Sequence, residues 1–183
     1  MTPPTGRFRL GPPSTRLFVK TSRTGLGARA GHDLTIEATR WSGSVSVPGH
    51  DTADASVRVE VDAGSFTVRE GAGGFMPLSD SDRTEIEETI RHKILFPDRY
   101  PAMTFESTSI RETGDELEID GDLTIMGVTR PLTARARVGG EGTVRGRAAV
   151  AQTDWGIKPY SAFFGALRLA DEVAVEIDGT LGG

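Results

Sequence analysis

Three histidines are the side chains best suited to proton or metal chemistry in this chain: His32, followed by Asp33; His50, followed by Asp51; and His92. A histidine beside a carboxylate can hold a proton near neutral pH. A zinc or iron site needs about three such ligands converging on one point, spaced i and i+4 on a helix or i and i+2 on a strand. The two His-Asp pairs are adjacent in sequence and lack that spacing, so no metal site is expected. His50 and His92 read as solvated. His32 immediately precedes an alternating segment, which places it near the rim of whatever that segment encloses, where a turn hydrogen bond competes with a ligand contact. A serine hydrolase would need a Gly-x-Ser-x-Gly elbow, and the serines here stand in turns and strand edges instead. "GAGGF", Gly71 to Phe75, lacks the lysine and following helix of a phosphate cradle. The neighbours Glu87 and Glu88 read as facing water from a helix. With no cysteine in 183 residues, thiol chemistry and disulfides are excluded. No catalytic residue and no cofactor are therefore expected; one alternative keeps His32 and Asp33 as acid and base at the mouth of an apolar pocket, and another is a stress-response or interaction module whose barrel is filled by its own side chains.

The elements that would position these residues are mostly strands. In "DELEIDGDLTIMGVTRPLTARARV", Leu117, Ile119, Gly121, Leu123 and Ile125 alternate with Glu116, Glu118, Asp120, Asp122 and Thr124. Beyond Met126-Gly127 the pattern resumes with Val128, Leu132, Ala134, Ala136 and Val138. Period-two alternation of this kind marks a half-buried antiparallel strand. It recurs at Leu17 and Val19; at Leu34, Ile36 and Ala38; at Trp41, Gly43, Val45 and Val47; and at Val57, Val59 and Val61. It returns at Met103 and Phe105, at Val144 to Val150, and at Val173, Val175, Ile177 and Gly179. About nine strands follow. In "SDSDRTEIEETIRHKIL" the period changes: Ile86, Ile90 and Ile94 recur every four residues, with Ser79, Ser81 or Asp82 available as N-cap, which predicts one amphipathic helix of three to four turns ending at "FPDRYP". Residues 1–14, with four prolines and two glycines, read as a flexible leader, and 15–183 as one domain.

Consecutive strands with one apolar face make a sandwich or a barrel. The apolar face holds small residues on most strands, Ala38, Gly43, Gly121, Ala134, Ala136, Gly146, Ala148 and Gly179. Small side chains facing inward leave room, which favours an all-β, closed antiparallel barrel of about eight to nine strands with one inserted helix. Glycines that mark bulges and alanines opposite large partners are the competing account. The expected wall is Leu34, Ile36, Trp41, Val45, Val57, Val59 and Val61 from the first half of the chain. The second half adds Met103, Phe105, Leu117, Ile119, Leu123, Ile125, Leu132, Val173, Val175 and Ile177. His32 and Arg130 stand as polar candidates: Arg130 is in register with Val128 and Leu132, and a lone arginine in an apolar interior must reach water, a carboxylate or an anionic head group. Ser107 and Ser109 continue the inward parity of Met103 and Phe105. The aromatic stretch "TDWGIKPYSAFFGAL", Thr153 to Leu167, plugs a mouth or lines a ligand.

Three separated stretches, "TGLGARAGHDLTIEATRWSGSVSV", "SDSDRTEIEETIRHKILFPDRYPAMTFESTSI" and "LEIDGDLTIMGVTRPLTARARV", resemble in order the signature segments of the YceI-like family. The most specific parts are "FPDRYPAMTF" and "GDLTIMGVTRPLT". The resemblance covers about Thr15 to Leu181 and implies a lipocalin-like antiparallel barrel that binds a long isoprenoid, a quinone or another amphiphilic lipid without catalysing a reaction. A homodimer is left open. Many members begin with a signal peptide; "MTPPTGRFRLGPPST" does not read as one, so a cytoplasmic location is expected. A net charge of −5, from 21 basic and 26 acidic residues, lacks the basic surplus of phosphate binders, so nucleic acid is not an expected partner. No apolar run of spanning length occurs, so no membrane-spanning segment is expected either.

Overall fold

The computed structural model describes residues 4–25, 31–74, 76–162 and 167–183. The strands are β1 (Gly6–Leu10), β2 (Thr15–Lys20), β3 (Arg23–Thr24), β4 (Asp33–Ala38), β5 (Trp41–Val47), β6 (Ser56–Asp62) and β7 (Phe66–Ala72). A helix, α1 (Asp80–Thr89), follows and continues as a π-helical turn over Ile90–Leu95. The second half contributes β8 (Ala102–Thr113), β9 (Glu116–Ile125), β10 (Val128–Val138), β11 (Thr143–Ala151), β12 (Ser161–Ala162), β13 (Leu167–Leu169) and β14 (Glu172–Thr180).

Eleven strands form one antiparallel sheet in the order β1-β5-β6-β8-β9-β10-β11-β14-β2-β4-β7, and β12-β13-β3 form a second. The meander from β8 to β11 follows from local turn chemistry. Met126 and Gly127 both have positive φ, +48° and +76°, between the paired Ile125 and Val128. That is the geometry whose twist matches a two-residue hairpin. The twist of so many strands curls the large sheet into a half-barrel.

Two expectations need correction. The barrel is not closed, and the strand count is higher than nine: the outermost strands, β1 and β7, have no ladder between them. The chain turns corners between β1 and β2 and between β4 and β5, so β1 pairs with β5 while β2 pairs with β4, and the two ladders diverge. β1 itself lies within the stretch read as a flexible leader; Phe8 pairs with Val45, Leu10 with Gly43, and Arg9 exchanges two backbone hydrogen bonds of 2.8 Å with Gly182.

The free edge of β7 is occupied by the helix. Glu87 accepts a 2.9 Å hydrogen bond from the Val68 amide, and the Arg83 guanidinium donates to the Arg69 carbonyl at 2.8 Å. Exposed strand edges invite pairing with other chains, and side chains that occupy their backbone groups remove the template. Glu87 thus faces the sheet and not water. Ser79 caps the helix in a reciprocal box, its Oγ accepting from the Asp82 amide and Asp82 accepting from the Ser79 amide. No residue of α1 is fully buried; the face carrying Ile86, with Leu78 and Ile90 at either end, packs on Leu34, Ile36 and Val68. The π-helical turn carries Ile90, Ile94 and Leu95 onto Ile125, Val150, Trp155, Ile157 and Val173. Among the described residues no helix is long and apolar enough to cross a membrane.

Candidate functional site

The concave face of the half-barrel and the underside of α1 enclose one large apolar cavity of about 710 Å³. Ligand sites in proteins are typically about 300–1,000 Å³ with mainly apolar walls and a few placed polar groups. The lateral pairing explains why the wall is apolar all the way round. Ile119 sits opposite Ala134, Ala134 opposite Ala148, Ala148 opposite Val175, Val175 opposite Val19, and Val19 opposite Ile36. This row crosses six strands on one face of the sheet.

Of the residues expected to form the wall, Leu34, Ile36, Val45, Val57, Val59 and Val61 line the cavity, as do Met103, Phe105, Leu117, Ile119, Leu123, Ile125, Leu132, Val173, Val175 and Ile177. Trp41 and Arg130 do not. Trp41 is 8% exposed and packs into the core cluster of Leu10, Leu17, Ala38 and Val144, with its indole N–H buried and unpartnered. Arg130 is exposed, its Nε donating to the Asp154 carbonyl at 3.3 Å. Sequence reasoning missed the contribution of the helix, Leu78, Ile86, Ile90, Ile94 and Leu95, and that of Val19 and Phe66. The isoleucine period of the helix marked an apolar face, but nothing in the sequence said which surface it would cover.

The small inward residues divide into two groups. A Cβ on Gly121 would lie 2.5 Å from the Phe105 ring and from the Glu106 carbonyl, and one on Gly43 would lie 3.0 Å from Leu10, so these glycines admit a neighbouring side chain. Gly179 has φ +156° against the backbone of Ser14, a conformation that favours glycine. Gly146 is different: a Cβ there would meet nothing closer than 3.8 Å, and its backbone is unstrained. With Ala134, Ala136 and Ala148 it forms a patch of small residues on β10 and β11 that faces the cavity.

Polar lining groups gather where α1 begins. His32 Nε2 lies 2.7 Å from the Met76 carbonyl oxygen, while the Asp33 carboxylate accepts from the Arg23 amide at 2.9 Å and from Arg23 Nε at 3.1 Å. The two members of the His-Asp pair are thus engaged by different partners. Asp82 has its pKa lowered, first by the Ser79 amide and hydroxyl, with a smaller contribution from the charge of His32. Arg168 of β13 pairs with Thr24 beside Arg23. His92 Nε2 lies 2.9 Å from a Glu88 carboxylate oxygen, both side chains exposed, and His50 is exposed. Among the described residues no group of three or more His, Asp or Glu could hold a metal ion. Within the aromatic stretch, Trp155 is 3% exposed and donates to the Leu123 carbonyl at 2.9 Å, Ile157 is buried beside it, and Tyr160 lines the cavity; Phe163 and Phe164 lie outside the described residues.

Ser109 is a further correction. Ser107 does turn inward, its Oγ accepting from the Val57 amide at 2.8 Å, but a bulge between Ser107 and Ser109 reverses the parity. Ser109 therefore meets Asp120 on the outside, and Ile110, 5% exposed, takes the inward place.

Comparison with known proteins places this geometry. The model of the YceI-like domain matches residues 16–181. Protein YceI of Escherichia coli O6:H1 is 45% identical over 64 residues, and Protein YceI of Shigella flexneri 44% over 64; in both the match spans 34% of this chain and 34% of the relative. Among solved structures, Burkholderia cenocepacia BcnA aligns at 18% identity with a TM-score of 0.68, covering 91% of this chain and 94% of its own. A polyisoprenoid binding domain from Saccharophagus degradans, implicated in plant cell wall breakdown, aligns at 10% identity with a TM-score of 0.61 over 98% and 99% of the two chains. At such identities the structural likeness concerns the fold.

Proposed function

The chain belongs to the YceI-like domain family, and from that membership we propose that it binds one long isoprenoid, quinone or similar lipid-like molecule in the cavity of its half-barrel, carrying or sequestering it without chemical change. The observation that supports this most is the cavity itself: about 710 Å³ of space walled by aliphatic and aromatic side chains from the strands and the helix. An interior filled by its own side chains would have left no such space. Enclosing ten methylene groups at about 0.8 kcal/mol each contributes about 8 kcal/mol before the cost of immobilising the chain, so affinity needs no particular polar contact. The likeness to a polyisoprenoid binding domain supports the same ligand class. The polar residues around His32 and Arg23 would then meet the head of an amphiphile whose tail lies inside.

The test is mass spectrometry of organic extracts of the purified protein, together with titration of octaprenyl and menaquinone-like probes. A co-purifying lipid, or saturable binding of the probes at one per chain, is the expected result. No lipid in the extract and no binding of either probe would overturn the proposal.

A further inference from the structure

Resting on that lipid-binding reading, we infer that the cavity discriminates by the head of its ligand, taking an uncharged, oxygen-bearing head such as an alcohol or a quinone in preference to a diphosphate. The head is read at the end of the half-barrel that adjoins β3 and β13.

The strand order fixes which residues share that end. β11, β14, β2 and β4 are neighbours that alternate in direction, so the residues after β11, before β14, after β2 and before β4 lie side by side. These are Gln152, Asp171, Thr21 and His32. Backbone hydrogen bonds join this end together: the Gln152 amide donates to the Asp171 carbonyl at 2.9 Å, the Ala170 amide to the Ser22 carbonyl at 2.8 Å, and the Thr21 amide to the Leu34 carbonyl at 3.0 Å. Tyr160 belongs to it through its carbonyl, which accepts from the Leu169 amide of β13 at 3.0 Å. From this group Thr21, Arg23, His32, Gln152, Tyr160 and Arg168 line the cavity. Towards the other end of β2, β10, β11 and β14 the lining is apolar, with Leu17, Val138, Val144, Ile177 and Leu181.

The hydrogen-bonding capacity left at the polar end suits an uncharged head. A carbonyl oxygen only accepts, so His32 Nε2 and Gln152 Nε2 are spent as donors on the Met76 and Ala170 carbonyls, at 2.7 and 3.2 Å. That leaves Gln152 Oε1 and, in the neutral ring, His32 Nδ1 as acceptors. Thr21 Oγ1 accepts from the Leu34 amide at 3.1 Å and keeps its O–H to donate, while the Tyr160 hydroxyl can do either. An alcohol meets both sets, and a quinone carbonyl meets the donors. The cations are committed elsewhere: Arg23 donates to Asp33 and to the Gly31 carbonyl, and Arg168 is engaged as well. Two carboxylates, Asp82 and Glu85, line the cavity from α1. A diphosphate would leave water for a place where the cations are paired and carboxylates are close, and like charges set near each other exclude a ligand more than they weaken its competitor.

The experiment compares octaprenol with octaprenyl diphosphate, identical in tail, titrated in the same detergent against the lipid-free full chain. The prenol should bind at least tenfold more tightly. Tyr160 is 48% exposed, so Tyr160→Lys adds a cation at the polar end without entering the core, and it should narrow the ratio at least fivefold by tightening the diphosphate. Thr113→Lys places the same charge on an exposed residue at the opposite end of the sheet, the last of β8, and should leave the ratio within twofold. A diphosphate that binds the unmodified chain as well as the prenol does overturns the discrimination. A ratio that Tyr160→Lys does not move, or that Thr113→Lys moves as far, overturns the placement of the head. Binding of neither ligand overturns the lipid-binding proposal, and this inference with it.

Discussion

Glu37 is a carboxylate with almost no access to water, its side chain 9% exposed, held by two arginines from neighbouring strands: Arg16 Nη2 and Arg69 Nε both lie 2.7 Å from its Oε2. The hydrogen bond from Arg16 is the largest cause, and Arg69 adds to it against the opposing effect of burial, so that the carboxyl pKa falls from 4.5 to about 2. A depressed folded pKa stabilises the protein fully above the unfolded value, and the contribution is lost as pH falls from about 4.5 through about 2. With both arginines about half exposed, solvent screening brings it to about 2 kcal/mol. Urea unfolding of the native protein and of Glu37→Gln should differ by about that amount at pH 7 and by less than half of it at pH 3. A gap that does not narrow contradicts the assignment. The glycines make a second comparison at this scale. Gly146→Ala should raise stability by about 0.4–1 kcal/mol, since the new methyl meets no close neighbour and restricts the unfolded chain. Gly121→Ala should cost about 1–3 kcal/mol through contact with Phe105. Equal effects in thermal melts would remove the distinction between a glycine that admits a neighbour and one that leaves a void. That distinction was not legible in the sequence, where both glycines stand at the same parity; it depends on Phe105, diagonal to Gly121 across the strand pair, leaning its ring over that glycine, while Ile177 opposite Gly146 stands clear.

Helix α1 has no fully buried residue, yet two of its side chains tie it directly to the sheet. Its bonds to β7, from Glu87 and Arg83, join side chains to the backbone of an edge strand, and a strand edge has no alternative partner but water. Glu87→Ala should therefore speed hydrogen exchange of the amides in 66–72 and 80–95 by at least tenfold and leave those of β9, β10, β11 and β14 unchanged. Uniform acceleration would mean the helix is not a separable unit. Elements differed in how far the sequence disclosed them. β9 was legible because ten residues of alternation fix both the strand and its inward face, and β10 because the same alternation runs from Leu132 to Val138. β1 and β7 were not, because Phe8 and Leu10, or Phe66 and Val68, provide only two apolar positions each before glycine or charge intervenes. The two- and three-residue strands of the second sheet have no period to detect. In β8 the strand was legible but its face was not: one extra residue at the bulge carries Ser109 outside and Ile110 in, and alternation cannot anticipate a change of register.

At the scale of the whole molecule the sheet separates two environments. Its convex side carries ion pairs across strands, such as Glu116 with Arg137 and Arg147, and Glu118 with Arg135. Exposed pairs of this kind contribute little stability each, but they keep the outer face wetted and leave the concave face as the place for apolar surface. The family and the one-sided strands were legible from the chain alone, whereas the open edge and the helix that covers it arise from contacts between residues far apart in sequence. The account's central claim is that the lipid lies inside, against the small residues of β10 and β11. Native mass spectrometry of the protein and of Ala148→Phe, each equilibrated with the same octaprenyl probe, tests it most directly. The unmodified chain should carry one probe molecule, and Ala148→Phe, with an unchanged or slightly raised Tm, should carry at least tenfold less, because the new ring fills space that the tail would occupy. A variant that keeps its Tm and binds the probe as well as the unmodified chain would place the lipid elsewhere and contradict the account.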